Sequence, residues 1–141
     1  MIFYVLGFAF YGDEVLLIRK NRPLWQQGKL NGIGGKIEEI DANPWAAMQR
    51  EFKEECGLTV SDWKHYVTLG DVDGSAWKMV VFTTELNDIH SLHSATDEVV
   101  GLYSVEDIIT SKEEIMSNLP WLITLAKDCH GIHPPFIGYD Q

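Results

Sequence analysis

The sequence predicts an α/β sandwich, or its α+β variant, in which helices cover a mixed β-sheet. β-rich runs fall at 2–10, 15–19, 63–71, 77–86 and 99–104, and helix-forming segments at 44–56, 105–110 and 113–129. Strands and helices interspersed in this way pack as layers, because each must bury an apolar face against the other. At 141 residues the chain is sized for one domain, 1–141, long enough to bury most of its unfolded surface.

The first two runs, Ile2 to Phe10 and Val15 to Arg19, flank Tyr11-Gly12-Asp13-Glu14 and read as a β-hairpin, since Gly-Asp supplies turn residues. Asn21 to Ile40 carries Pro23 and glycines at 28, 32, 34 and 35. That punctuation breaks a helix and reads as a loop holding a short strand. Asn43 is a favoured N-cap, Pro44 suits the first helical position and Gly57 marks the stop, so a helix is expected over 44–56. The tail from His130 to Gln141, with Pro134-Pro135, is expected to be irregular.

Composition excludes several classes. With 45% hydrophobic and 23% charged residues, the chain is globular rather than disordered, collagen-like or coiled-coil. No apolar run reaches the roughly 18 to 20 residues of a membrane span, and the start lacks the basic region of a signal peptide. Cys56 and Cys129 are too few for a disulfide framework and lack metal-ligand spacing. Both features fit a reducing cytosol, so the expected location is cytoplasmic. The formal charge is -10, a field that repels nucleic-acid polymers and anionic membranes. An anionic small molecule handled by such a chain calls for metal cations between the two.

Glu51, Glu54 and Glu55 stand at i, i+3 and i+4, so their carboxylates share one helix face, while Ala47, Met48, Phe52 and Cys56 form the opposite, apolar side. Two of the acids fall in the last turn, where the helix dipole is already negative. Folding alone does not call for that arrangement. Arg50 can reach Glu54 or the preceding loop, and Gly34-Gly35 brings bare carbonyls close by. Hard divalent cations take carboxylate and carbonyl oxygens, and Mg²⁺ is commonly shared between one or two carboxylates, waters and substrate phosphates.

Gly35 and Arg50-Glu51-Phe52-Lys53-Glu54-Glu55-Cys56-Gly57-Leu58 resemble the Nudix box, G-x5-E-x7-R-E-U-x-E-E-x-G-U with U apolar, and the second half matches at every specified position. The resemblance implies the Nudix α/β/α sandwich and hydrolysis of a pyrophosphate linkage in a nucleotide. It further implies Mg²⁺ as cofactor, with Mn²⁺ as its substitute. Glu51, Glu54 and Glu55 become the metal-binding and catalytic acids, with Arg50 beside them and Gly35 as a carbonyl ligand. Asp41 stands where the family has its first glutamate, eight residues rather than seven before Arg50, with Glu38 and Glu39 as alternatives.

Gly28-Lys29-Leu30-Asn31-Gly32-Ile33-Gly34-Gly35-Lys36 resembles the G-[KR]-W-N-G-F-G-G-K segment of the MutT-like subgroup, with Leu30 in place of the aromatic. That subgroup destroys oxidised purine nucleoside triphosphates. By this resemblance Asn31 and Lys36 are candidate substrate contacts, and Glu98 is a further metal ligand or base. Asn118 and Trp121, at the start of the last helical segment, are candidates for base recognition, while Asn118 reads equally as the cap of that helix and Asn31 as a stabiliser of the glycine-rich turn. The expected partner is a small-molecule nucleotide, and a homodimer is left open. Within the family, ADP-ribose, a nucleotide sugar or a dinucleotide is the alternative substrate. Outside catalysis, the alternative is a nucleotide sensor, a class expected to lose box acids.

Other signals have plainer readings. His90 and His93, like His130 and His133, lack the cysteines or framing acids of a transition-metal site and read as surface histidines. Cys56 reads as a buried, inert thiol at a negative helix end. Trp25, Trp77, Phe82 and Trp121 are candidates to stack on a base, but most of them read as core, with Trp121 the aromatic set apart as a pocket wall.

Overall fold

Alternation along the first strand decides the layers. Leu6, Phe8 and Phe10 join one buried cluster, whereas Val5 and Ala9 join another. Successive strand side chains point to opposite faces, so a strand buried on both sides needs cover on both. A computed structural model describes residues 1–110, 114–128 and 135–138. Its strands are β1 (Ile2–Tyr11), β2 (Glu14–Arg19), β3 (Leu30–Asn31), β4 (Ile33–Lys36), β5 (Lys64–Gly70), β6 (Trp77–Glu85), β7 (Val99–Ser104) and β8 (Phe136–Gly138). The helices are α1 (Pro44–Cys56), α2 (Val105–Ile109) and α3 (Leu119–Asp128), with a 3₁₀ turn at Leu24–Gln26.

The cover is α1 on one face, through Ala47, Met48, Phe52 and Cys56, and α2 with α3 on the other, through Ile108, Leu119, Leu122 and Ile123. Burying a side chain such as Phe52 or Leu122 contributes about 1.5 to 3 kcal/mol. Phe52 also meets Trp63 edge-on at 4.9 Å. The expected mixed sheet between helical layers is what forms.

β1 is the organising strand. It runs parallel to β6 from Ile2↔Trp77 to Phe10↔Glu85. Its other edge is divided between β4, from Tyr4↔Lys36 to Gly7↔Ile33, and the hairpin partner β2 at Phe10↔Val15. β5 and then β8 extend the sheet beyond β6, while β3 and β7 pair with β2. The split edge of β1 sets the glycine-rich β4 directly under α1.

The capping signals act as read. Asn43 Oδ1 accepts the Ala46 N–H at 2.8 Å, an interaction worth about 1 kcal/mol. Gly57 closes α1 at φ 81°, donating its N–H to the Lys53 carbonyl, in the left-handed region that a β-carbon disfavours.

Two expectations change. The segment expected to be helical from 113 instead runs extended over 114–116, where Leu30 N–H donates to Glu114 O and Met116 N–H donates to Leu30 O. The helix begins at Leu119, with Pro120 in its first turn, where a missing N–H is harmless. The tail is not wholly irregular, because β8 pairs in parallel with β5 at Thr68↔Phe136 to Gly70↔Gly138. The remaining tail and Cys129, His130 and His133 lie outside the described residues.

Candidate active site

Glu51 lies against β4. A β-carbon on Gly35 would overlap the Glu51 carboxylate, so the absence of a side chain lets the acid approach the strand backbone. Gly34 is confined likewise by the Val5 carbonyl of β1. α1, docked by its apolar face, therefore brings Glu51 against Gly35.

Arg50 organises the charges around this contact. Its Nε donates to Asp41 Oδ1 at 2.9 Å and its Nη2 to Asp41 Oδ2 at 2.8 Å, a two-point match of guanidinium and carboxylate. Nη1 reaches Glu51 Oε1 at 3.1 Å and Glu54 Oε2 at 3.3 Å, and Nη2 also donates to the Lys36 carbonyl. The Asp41 side chain is only 4% exposed and its Oδ2 also accepts the Glu38 N–H. Glu38 approaches Arg50 at 3.6 Å, and Glu39 is exposed. Asp41 is thus the principal partner of Arg50 in the lengthened loop.

Burial pushes the Glu51 carboxyl up to about 7; Arg50 opposes that shift, while Glu54 and Glu55 add to it. Glu55 is also raised, by burial first and by the nearby charge of Glu98, although Thr96 donates to its Oε2. Glu54 is more open, with a side chain 56% exposed. Partly desolvated carboxylates that repel one another suit a divalent cation. Among the described residues no three acidic, histidine or cysteine side chains gather closely enough to hold an ion by themselves. Completing its shell would take backbone, water and substrate oxygens, the sharing usual for Mg²⁺.

Glu98 is only 3% exposed. Its Oε1 accepts from Lys20 Nζ at 3.0 Å, and its Oε2 from the N–H groups of Asn21 at 2.6 Å and Arg22 at 3.3 Å. Burial, which would raise its pKa, is outweighed by these donors, and the carboxyl sits below its ordinary value. Both oxygens are thus engaged by the segment that leads to the 3₁₀ turn.

A cleft of about 520 Å³ opens beside these groups. Gly34, Gly35 and Lys36 line it, together with Asn31, Asn118 and Lys20. Trp25, Trp77, Met79 and Met116 supply apolar wall. Trp121 is 39% exposed on α3 and is not part of this lining. Trp25, expected in the core, is instead 58% exposed at the cleft, because the 3₁₀ turn buries none of its residues. Trp77 is half-buried, and Phe82 is fully buried as expected.

Gln26 was not singled out from sequence. Asn31 Oδ1 accepts the Gly32 N–H at 2.8 Å, which turns Nδ2 toward Gln26 Oε1 at 3.4 Å. A backbone N–H can only donate, so it sets the polarity of the Asn31 amide. No local signal marks Gln26, whose place depends on how the loop folds over β3.

Two minor readings agree with the structure. Cys56 is buried, donates to the Phe52 carbonyl and is pushed up to about 11 by burial. His90 and His93 are exposed. Among the described residues no helix is long and apolar enough to cross a membrane.

A model of the NUDIX domain matches residues 4–122, and the chain belongs to the Nudix family. No curated protein matches the sequence. Among solved structures, the NUDIX domain of Shewanella oneidensis NrtR, complexed with ADP ribose, aligns with a TM-score of 0.77 at 17% identity, covering 91% of this chain and 87% of that one. MutT proteins from Aliivibrio salmonicida and Vibrio cholerae are represented by a match with a TM-score of 0.67 at 22% identity, covering 90% and 97%. An ADP-ribose pyrophosphatase from Streptococcus suis aligns at 0.71 and 18%, covering 96% and 98%. These likenesses are of fold.

Proposed function

We propose that this Nudix hydrolase cuts a nucleoside triphosphate, with oxidised purines as the favoured bases, to the monophosphate and pyrophosphate. The observation that carries the reading is the shared wall: Gly35 and Lys36 line the cleft and also border Glu51 and Arg50 of α1. A volume of about 520 Å³ lies within the range of small-ligand sites. Its amide and aromatic walls suit a base, and Lys36 offers positive charge for phosphates, whereas Lys20 is paired with Glu98.

Divalent metal is the family's cofactor, and Mg²⁺ is the ion proposed here, with Mn²⁺ as its substitute. Glu51, Glu54, Glu55 and the Gly35 carbonyl would hold it. Bound there, it would neutralise phosphate charge and lower the pKa of a water. Arg50 keeps Glu51 and Glu54 oriented through Nη1. Lys36 and Asn31 contact substrate in the cleft, with Asn118 beside them.

A release assay with Mg²⁺ tests the reading across nucleoside triphosphates, ADP-ribose, nucleotide sugars and dinucleotides. Pyrophosphate release from triphosphates is the expected result. Turnover of ADP-ribose alone would replace that substrate class, and binding without turnover of any compound would make the chain a sensor.

A further inference from the structure

Thr96 connects α1 to the segment that leads into β7. Its hydroxyl accepts the Glu98 N–H at 3.2 Å and donates to Glu55 Oε2 at 3.0 Å. Since the Glu98 N–H can only donate, the single hydroxyl proton of Thr96 is left for the carboxylate.

The chain on both sides of Thr96 is tied down by hydrogen bonds. His93 N–H donates to the Cys56 carbonyl at 3.2 Å and Ala95 N–H to the Glu55 carbonyl at 3.0 Å, pairing two acceptors that a helix end leaves open. On the other side Glu98 is buried and bonded to Lys20 and to the N–H groups of Asn21 and Arg22. Asp97 adds its carbonyl to the Asn21 side chain and its carboxylate to Arg22. Thr96 thus stands between an anchored acid and the carboxylate it holds.

We propose that Thr96 is a positioning residue, which orients the Glu55 carboxylate through Oε2 and leaves Oε1 to the divalent ion. The proposal rests on the metal role given to Glu55 above. A group that bonds to a ligand rather than to the metal fixes the ligand's direction, and losing such a group commonly weakens metal binding by about 10- to 100-fold.

The test is Mn²⁺ affinity, read from the EPR signal of free Mn²⁺, in wild type, Thr96→Val, Thr96→Ser, Glu55→Gln and the double variant Glu55→Gln/Thr96→Val, with melting temperatures alongside. Thr96→Val keeps the shape and loses the hydroxyl; it is expected to weaken Mn²⁺ binding about tenfold, and Thr96→Ser to restore it to within about twofold. In the Glu55→Gln background Thr96→Val should cause no further loss, because coupled residues are not additive. Wild-type affinity in Thr96→Val, failure of Thr96→Ser to restore it, or an undiminished effect in the Glu55→Gln background would each overturn the proposal. If Glu55→Gln itself binds Mn²⁺ like wild type, the metal role of Glu55 is wrong and the proposal falls with it; the two failures are thereby told apart.

Discussion

Arg50 and Asp41 meet through two hydrogen bonds at 2.9 and 2.8 Å, with the Asp41 side chain 4% exposed and that of Arg50 16%. Asp41 therefore anchors the Arg50 guanidinium from the loop that precedes α1. The carboxylate lies below its ordinary pKa, held there by the Arg50 hydrogen bond against the opposing effect of burial. Removing it by Asp41→Ala should cost about 2 kcal/mol of stability, less than a fully buried pair because Arg50 keeps Glu51 and Glu54 as partners. Turnover should also fall, as Arg50 loses its anchor. Urea unfolding and steady-state kinetics check both, and an unchanged midpoint would contradict the structural part.

The Glu51 carboxyl, raised by burial to about 7 from 4.5, makes metal stabilisation depend on pH. An acid whose folded pKa exceeds its unfolded value favours folding below the unfolded pKa, and that contribution is lost as pH rises through the folded one. Glu55 is shifted the same way, whereas Asp41 and Glu98, both lowered, contribute above the ordinary carboxylate range and are lost toward acid. Metal binds the ionised carboxylates. Added Mg²⁺ should therefore raise Tm more at about pH 8 than at about pH 5.5. Equal increments at the two pH values would place the ion away from Glu51.

Glu54 is the most open of the three helix acids, with its side chain 56% exposed. Glu54→Gln removes charge but little volume, so stability should stay within about 0.5 kcal/mol of wild type. The expected loss is in kcat, by orders of magnitude, as for a group that acts through the metal. Near-wild-type turnover would remove Glu54 from the metal site.

In the cleft, Asn31→Ala and Trp25→Ala should act on substrate choice. Asn31→Ala removes the amide that Gly32 N–H orients, and is expected to reduce discrimination among oxidised and unoxidised guanine, adenine and pyrimidine triphosphates. Trp25→Ala should raise KM, since aromatic stacking contributes about 1 to 3 kcal/mol per base in related settings. Trp121→Ala, outside the lining, serves as the comparison. Base ranking unchanged in Asn31→Ala, or a larger KM effect at Trp121 than at Trp25, would redraw the pocket.

The helix carrying Glu51 to Glu55 was legible to the residue because its signals are local: Asn43, Pro44 and Gly57 each act on adjacent backbone. The layers were legible from strand and helix periodicities that the buried clusters repeat. β8 was not, since its reason to be extended is a parallel edge on β5, from Phe136 to Thr68, far away in the chain. The extended 114–116 segment likewise owes its shape to Leu30. Within the site, the acidic triplet was visible as a spacing. The engagement of Glu98 by Lys20, and the exposure of Trp25 in the cleft, depend on which loops the sheet brings together.

The split edge of β1 has an evolutionary corollary. Three box acids travel together on one thirteen-residue helix, whereas the cleft draws its lining from separate stretches around Ile2, Trp25, Met79 and Met116. On the proposed reading, chemistry and taste meet at Gly35 and Lys36 and otherwise lie on different stretches of chain. Drift in the walls can retune which molecule is accepted while the reactive cluster stays under its own constraints. A designer wishing to redirect the enzyme would diversify the turn at Leu24–Gln26 and the strip at 114–116, leaving the helix and its glycine seat untouched.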